Sequence, residues 1–389
     1  MGHPIYLDGF ATLPLAPEAR EAILGVWAQP GNAGSPNVSG EIAARTIADG
    51  RELVADLIGA AASEITFTSG ATEANNLAIL GVARLARRSQ PNRKRIVVSA
   101  VEHKAVLEPA HALQSEGFEI SIAPVDRQGR LDLAEFARLV DRDLLLASVM
   151  MVNNETGVIQ PVKEAAALAH ASGALFHSDA AQAAGKIDVD VIELDVDYLT
   201  LSAHKCYGPM GIGALYVAAS APKPLPLTFG GGQQSGLRPG TEPVALVAGF
   251  GAAARVARDR LESDKEHCSA LIERLLETLE ERQLRFSRVS GDAPTVPGTV
   301  SIQFFDVDAD ELCARVARRV SLSTGSACTS GQIKTSHVLE SIGLSEIEAR
   351  SVIRIFCNRY QNSEEILSAA NHIVDAAALS RLETGELHQ

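Results

Sequence analysis

The sequence predicts an α/β protein, with a large domain built on a mostly parallel seven-stranded sheet and a smaller α/β domain after it. Three observations carry that prediction. Short β-rich runs alternate with amphipathic helical segments, a long helical pattern turns sharply charged near its middle, and strand and helix patterns resume beyond it. With 389 residues, 46% hydrophobic and 21% charged, the chain can build more than one domain, each with its own core.

Taken in order, residues 64–68, 95–99, 119–122, 144–149, 175–177, 198–202 and 213–217 read as strands. Residues 71–86, 105–116 and 161–172 read as helices between them, the rhythm of a parallel sheet covered on both faces. A Gly/Gln-rich stretch at 230–240 precedes a helical pattern over 244–282, and the charged turn at 255–266 marks the domain change. The remainder reads as strand 299–304, helix 309–318, strand 352–356 and helix 363–382.

Composition narrows the function. Lys and Arg total 35 against 48 Asp and Glu, a net charge of −13, which disfavours nucleic acid and anionic membrane surfaces. The longest run of apolar residues and Gly, 244–254, falls short of the ~18 that a membrane helix needs. No basic stretch leads into an apolar one at the N-terminus, so no secretory signal is expected and a cytoplasmic location is. The five cysteines (Cys206, Cys268, Cys313, Cys328 and Cys357) form no C-x-x-C pair, which argues against disulfides and a structural metal.

Polar residues cluster just beyond the ends of successive strands. Ser69-Gly70-Ala71-Thr72, Glu102-His103-Lys104, Asn153-Asn154-Glu155, Asp179 and Ser202-Ala203-His204-Lys205 each follow a strand. Ligands of open α/β sheets bind outside the carboxyl ends of strands, so these loops predict one site. Gly70 and Thr72 at a helix start suit a phosphate, although a plain helix cap explains Thr72 as well. Asp179, flanked by Phe176, Ala180 and Ala181, is expected to be buried and to need a partner: an Arg or Lys, or the protonated ring nitrogen of a cofactor. Lys205, hemmed in by small residues, suits a desolvated amine nucleophile. Phosphate anchor, acid and amine together point to pyridoxal 5′-phosphate. Cys328 lies in Ser323-Thr324-Gly325-Ser326-Ala327-Cys328-Thr329-Ser330-Gly331, which predicts an exposed thiol on a mobile loop. The other four cysteines are expected to fill space.

Together these residues resemble the cysteine desulfurases of the nitrogen-fixation and housekeeping iron–sulfur type, which are fold-type I pyridoxal-phosphate enzymes related to class V aminotransferases. The resemblance runs through Ile5-Tyr6-Leu7-Asp8, Phe67-Thr68-Ser69-Gly70-Ala71-Thr72-Glu73, Asn153-Asn154-Glu155, Asp179-Ala180-Ala181-Gln182, Ser202-Ala203-His204-Lys205, Leu237-Arg238-Pro239-Gly240-Thr241-Glu242 and the cysteine segment, in the family's order. It implies a large cofactor domain over 13–258 and a small domain formed by 1–12 and 259–389. It implies that Lys205 holds the cofactor, that His103 stacks on its ring and shuttles protons, and that Asp179 pairs with the ring nitrogen. Gln182 would bond the phenolic oxygen; Ala71, Thr72, Ser202 and His204 would bind the phosphate, joined by Thr241 from the second subunit of a homodimer. Asn154 and Arg354 would hold the carboxylate of L-cysteine, and Cys328 would take its sulfur for an acceptor or iron–sulfur scaffold protein. A related lyase or aminotransferase acting on another amino acid (selenocysteine among them), or a binding partner that keeps the fold without activity, are the alternatives.

The chain departs from the family's pattern at Ala33 and Asn37, where Pro and His are usual, at Leu13, and at Phe356 and Asn358, where Ser and Gly are common. These departures fall near the expected substrate entrance and carboxylate site, and none touches the cofactor anchors.

Overall fold

The computed structural model describes residues 3–90, 92–325 and 335–386. Its central sheet has seven strands in the order Ile65–Thr68, Gly213–Val217, Tyr198–Ser202, Leu175–Asp179, Leu144–Ser148, Arg95–Ser99 and Glu119–Ala123. Gly213–Val217 runs antiparallel to both neighbours, and the remaining pairings are parallel. All seven strands are those expected from the sequence, three with the same bounds and four differing by a residue or two at one end.

Alternation of side chains builds a core on each face of this sheet. Val97, Leu199, Leu201, Ala214 and Tyr216 face a layer that includes Val38–Asp56, Val162–Ala171 and Val244–Asp259. Their neighbours Ile96, Val98, Tyr198, Leu215 and Val217 face Ala71–Ser89 and Lys104–Ala112. Burial on both sides leaves the strand ends as the places where polar side chains can gather.

A separate core lies beneath a four-stranded antiparallel sheet ordered Ser323–Thr324, Val352–Phe356, Thr299–Phe304 and Phe286–Arg288. Leu275, Leu279, Ile302, Leu312, Ile355 and Ile373 belong to it, packed between that sheet and the helices Leu261–Glu281, Ala309–Val316 and Ser363–Glu386. The N-terminus joins this side of the molecule: Ile5–Tyr6 pairs in parallel with Val320–Ser321, and Leu7 enters the second core.

Besides several short added elements, two features of the long helices differ from the sequence reading. The helical pattern over 244–282 is two helices, Val244–Asp259 and Leu261–Glu281, which meet at Arg260. The first buries its apolar face in the large core and the second in the smaller one, so the axis breaks where the partner changes. The helices Pro17–Trp27 and Val38–Asp56 were not anticipated. Asn37 caps the second by accepting from the Gly40 amide at 2.9 Å, so this departure from the family's His supports local structure. Among the described residues, no helix is long and apolar enough to cross a membrane.

Candidate active site

A cavity of about 570 Å³ opens at the carboxyl ends of the parallel strands. Ser69 to Glu73, His103, Asn154, Asp179, Gln182, Ser202, His204 and Lys205 line it, together with Asp8, Phe10, Ala11 and Arg354. The strand-end motifs therefore converge as expected, and the smaller sheet contributes Arg354 from Val352–Phe356.

One end of the cavity is shaped for an anion. Gly70 has φ +150°, a conformation that favours glycine, and leads into the helix Ala71–Ser89. A Cβ at Gly213, on the adjacent strand, would meet the Gly70 Cα at 2.7 Å, so Gly213 serves a close backbone approach while Gly70 serves the turn. The first-turn amides have no intrahelical acceptor and carry the positive end of the helix dipole. Glu73 reaches back to accept from the Ser69 amide at 2.6 Å and from Arg238 Nε at 3.0 Å. Burial favours its protonated form, but these hydrogen bonds outweigh burial and keep its carboxyl below the usual range. Ser202 and His204 line the same cavity; His204 Nδ1 lies 3.1 Å from Thr12 Oγ1. Burial, then the charges of Lys205 and Lys186, push the His204 pKa down to about 4, so its ring is neutral near pH 7.

The middle of the cavity holds the acid and the amine. Asp179, last residue of Leu175–Asp179, is buried and accepts from Asn75 Nδ2 at 2.6 Å and from the Ala181 amide at 2.9 Å. Each oxygen thus has one donor and retains a lone pair for another. Lys205 Nζ donates to the carbonyl oxygens of Phe10 and Ala11. Gln182 Nε2 donates to the same Phe10 carbonyl at 3.0 Å, and Gln182 Oε1 accepts from Lys186 Nζ at 3.2 Å. His103 caps the helix Lys104–Ala112, its Nδ1 accepting from the Ala105 amide at 3.1 Å. That contact selects the neutral ring with its proton on Nε2. Burial lowers the His103 pKa; Asp179 opposes this, and Lys205 reinforces it.

At the far side Arg354 is held on three edges. Nε donates to Ser323 Oγ at 2.9 Å, Nη1 to the Asn154 carbonyl at 3.2 Å, and Nη2 lies 3.5 Å from Asp8 Oδ1. A guanidinium has five N–H groups, so one remains on each terminal nitrogen, a fork suited to a carboxylate. Phe356 packs edge-on against Phe10, with ring centres 5.4 Å apart, and so supports the segment whose carbonyls hold Lys205. Asn358 is buried, its Oδ1 accepting from the Tyr360 amide at 3.1 Å.

Two expected residues stand apart. Thr241 is exposed and does not line the cavity of its own chain. Cys328 lies outside the described residues. The sequence reading missed Asn75 and the Phe10 and Ala11 carbonyls. Asn75 had a detectable signal, an amide on the otherwise apolar buried face of its helix, whereas a backbone carbonyl has none.

These residues fit pyridoxal 5′-phosphate. An anion-binding helix start, a buried carboxylate with spare acceptor capacity and a primary amine surround one cavity of suitable size.

Comparison with known proteins agrees with this chemistry. A family model described as aminotransferase class-V matches residues 5–368. The protein named cysteine desulfurase IscS of Anaeromyxobacter sp. is 42% identical over 375 residues, covering 95% of this chain and 91% of its own. A solved structure titled NifS-like protein superposes with a TM-score of 0.90 at 32% identity, over 97% of this chain and all of its own. Another, titled SspA in complex with cysteine, gives 0.80 at 35% identity, over 92% of this chain and 100% of that one.

Proposed function

This chain belongs to the class V aminotransferase family, and on that premise we propose that it is a cysteine desulfurase, a pyridoxal-phosphate enzyme that converts L-cysteine to L-alanine. The observation that carries the reading is the meeting of Lys205, Asp179 and the start of the helix Ala71–Ser89 around one cavity that also presents Arg354.

When bound, pyridoxal 5′-phosphate withdraws electrons from the substrate's α-carbon and so loosens the bond between its β-carbon and sulfur. Lys205 would hold the cofactor covalently, after releasing the Phe10 and Ala11 carbonyls. The carboxylate of Asp179, oriented by Asn75, would pair with the ring nitrogen and Gln182 with the phenolic oxygen. Ala71, Thr72, Ser202 and His204 would bind the phosphate, with Thr241 supplied by a second copy of the chain in a homodimer. Arg354 and Asn154 would receive the carboxylate of L-cysteine. His103, whose Nδ1 accepts from the Ala105 amide and which therefore carries its proton on Nε2, would stack on the cofactor ring and move a proton.

Cys328 would accept the sulfur. Its thiol sulfur forms a bond to the substrate sulfur as the bond to the β-carbon breaks, and the thiol proton replaces sulfur on the carbon skeleton. The products are L-alanine and an enzyme persulfide, available to a sulfur-acceptor or iron–sulfur scaffold protein. The free thiols of Cys206, Cys268, Cys313 and Cys357 support a reducing compartment such as the cytoplasm. The two cores support a large domain over 13–258 and a small one formed by 1–12 and 259–389.

The test is a single-turnover reaction of cofactor-loaded protein with L-cysteine. One alanine per active site should appear together with a persulfide on Cys328, and C328S should form no persulfide. No alanine from the loaded protein would overturn the assignment; persulfide at another cysteine would move the acceptor.

A further inference from the structure

Glu155 belongs to the Asn153-Asn154-Glu155 motif, yet it does not line the cavity. The motif's turn is built by Asn153, whose Oδ1 accepts from the amides of Glu155 at 2.9 Å and Thr156 at 2.8 Å. That turn sends the Glu155 side chain into a buried position against the stretch between the strands Ser323–Thr324 and Val352–Phe356. Glu155 Oε2 accepts from Ser336 Oγ at 2.5 Å, and Ser336 in turn caps the helix His337–Ser341. The same Oε2 occupies the space beside Gly325, where a Cβ would overlap it. Gly325 and Ser336 precede and follow Cys328 in the chain. Close to Gly325, Ser323 donates to Asp8 Oδ1 at 2.6 Å and accepts from Arg354 Nε at 2.9 Å. Arg354 also reaches the carbonyl of Asn154, the neighbour of Glu155, at 3.2 Å.

We propose that Glu155 is a positioning residue for the sulfur-accepting thiol, its carboxyl bonded to Ser336 and packed against Gly325, the residues that flank the segment carrying Cys328. The proposal rests on the desulfurase reading above. It explains why a carboxylate sits inside the protein without touching the cavity, and why its neighbour at 325 is a glycine. Burial pushes the Glu155 pKa up to about 7, against the Ser336 hydrogen bond and the nearby charges of Arg354 and Lys104. The strength of the clasp therefore changes with pH in the neutral range, because an ionised oxygen accepts from a hydroxyl more strongly than a protonated one.

The test uses cofactor-loaded protein with E155A, E155Q and S336A. Losing one hydrogen bond of this kind, worth about a factor of ten, should slow persulfide formation in E155A and S336A by about tenfold while KM for L-cysteine changes less. E155Q keeps an acceptor and should recover most of the rate. Alkylation of Cys328 by iodoacetamide, located by peptide mass mapping, supplies a readout independent of turnover. The ratio of wild-type to E155Q alkylation rates should change between about pH 6 and pH 8, the range in which only the wild type titrates. Wild-type persulfide rates in E155A and S336A, with a constant alkylation ratio, would overturn the proposal. If E155A does not fold, S336A and E155Q decide. An absence of alanine from the wild-type protein would instead count against the desulfurase reading, and the alkylation ratio would still judge the clasp.

Discussion

Asn75 Nδ2 donates to Asp179 Oδ2 at 2.6 Å, joining the helix Ala71–Ser89 to the strand Leu175–Asp179. The helix that begins at the anion end of the cavity thus also aims the acid in its middle. Removing the amide in N75A should leave Asp179 less well oriented and lower kcat about tenfold; D179N should lose at least about a hundredfold. Steady-state kinetics with L-cysteine check this, and unchanged kcat in D179N would remove Asp179 from the mechanism.

Lys205 is the only lysine lining the cavity among the described residues. K205A should bind pyridoxal 5′-phosphate without covalent attachment, so that borohydride fixes no cofactor to the protein and alanine production is lost. Mass spectrometry after reduction reads the outcome. Cofactor still fixed to K205A would place the covalent bond on another amine.

Arg354 keeps one N–H on each terminal nitrogen after its contacts with Ser323, Asn154 and Asp8 are made. Lysine carries a single point charge and cannot reproduce that fork. R354K should raise KM for L-cysteine by about tenfold or more, with a smaller effect on kcat. An equal fall in kcat at unchanged KM would argue against a role in holding the carboxylate.

Lys186 is buried, its amine donating to the carbonyl and side-chain oxygens of Gln182 at 3.0 and 3.2 Å. Burial first, then the charge of Lys205, pushes its pKa down to about 7, while Cys206 opposes the shift. Above pH 7 the native amine is neutral while the unfolded one still binds a proton, so stability should rise with pH there. The slope from this group is at most about 1.4 kcal/mol per pH unit, and the gain is absent below pH 7, where both states are charged. Urea midpoints of wild type and K186M between about pH 7 and pH 9 test this: the variant should lack that component of the rise. Parallel profiles would mean that Lys186 titrates normally.

Much of the architecture was legible because strand burial is a local pattern. Runs such as Arg95-Ile96-Val97-Val98-Ser99 pack on both faces, and the polar residues left at their ends announced the site. The helices Pro17–Trp27 and Val38–Asp56 escaped notice, and the break at Arg260 follows from a change of packing partner rather than from a breaking residue. The departures at Asn37 and Phe356 became intelligible only in three dimensions, as a helix cap and as a brace for Phe10.

Residue types and their order were enough to establish the α/β rhythm, the family resemblance and the acid, amine and arginine of the site, because those depend on local periodicity and on side chains with distinctive chemistry. Folding alone decided which partner satisfies each of them: Asn75 for Asp179, the Phe10 and Ala11 carbonyls for Lys205, Ser336 for Glu155. A hydrogen bond requires its two atoms to lie within about 3 Å, and for residues far apart in the chain that distance is set by how the cores pack.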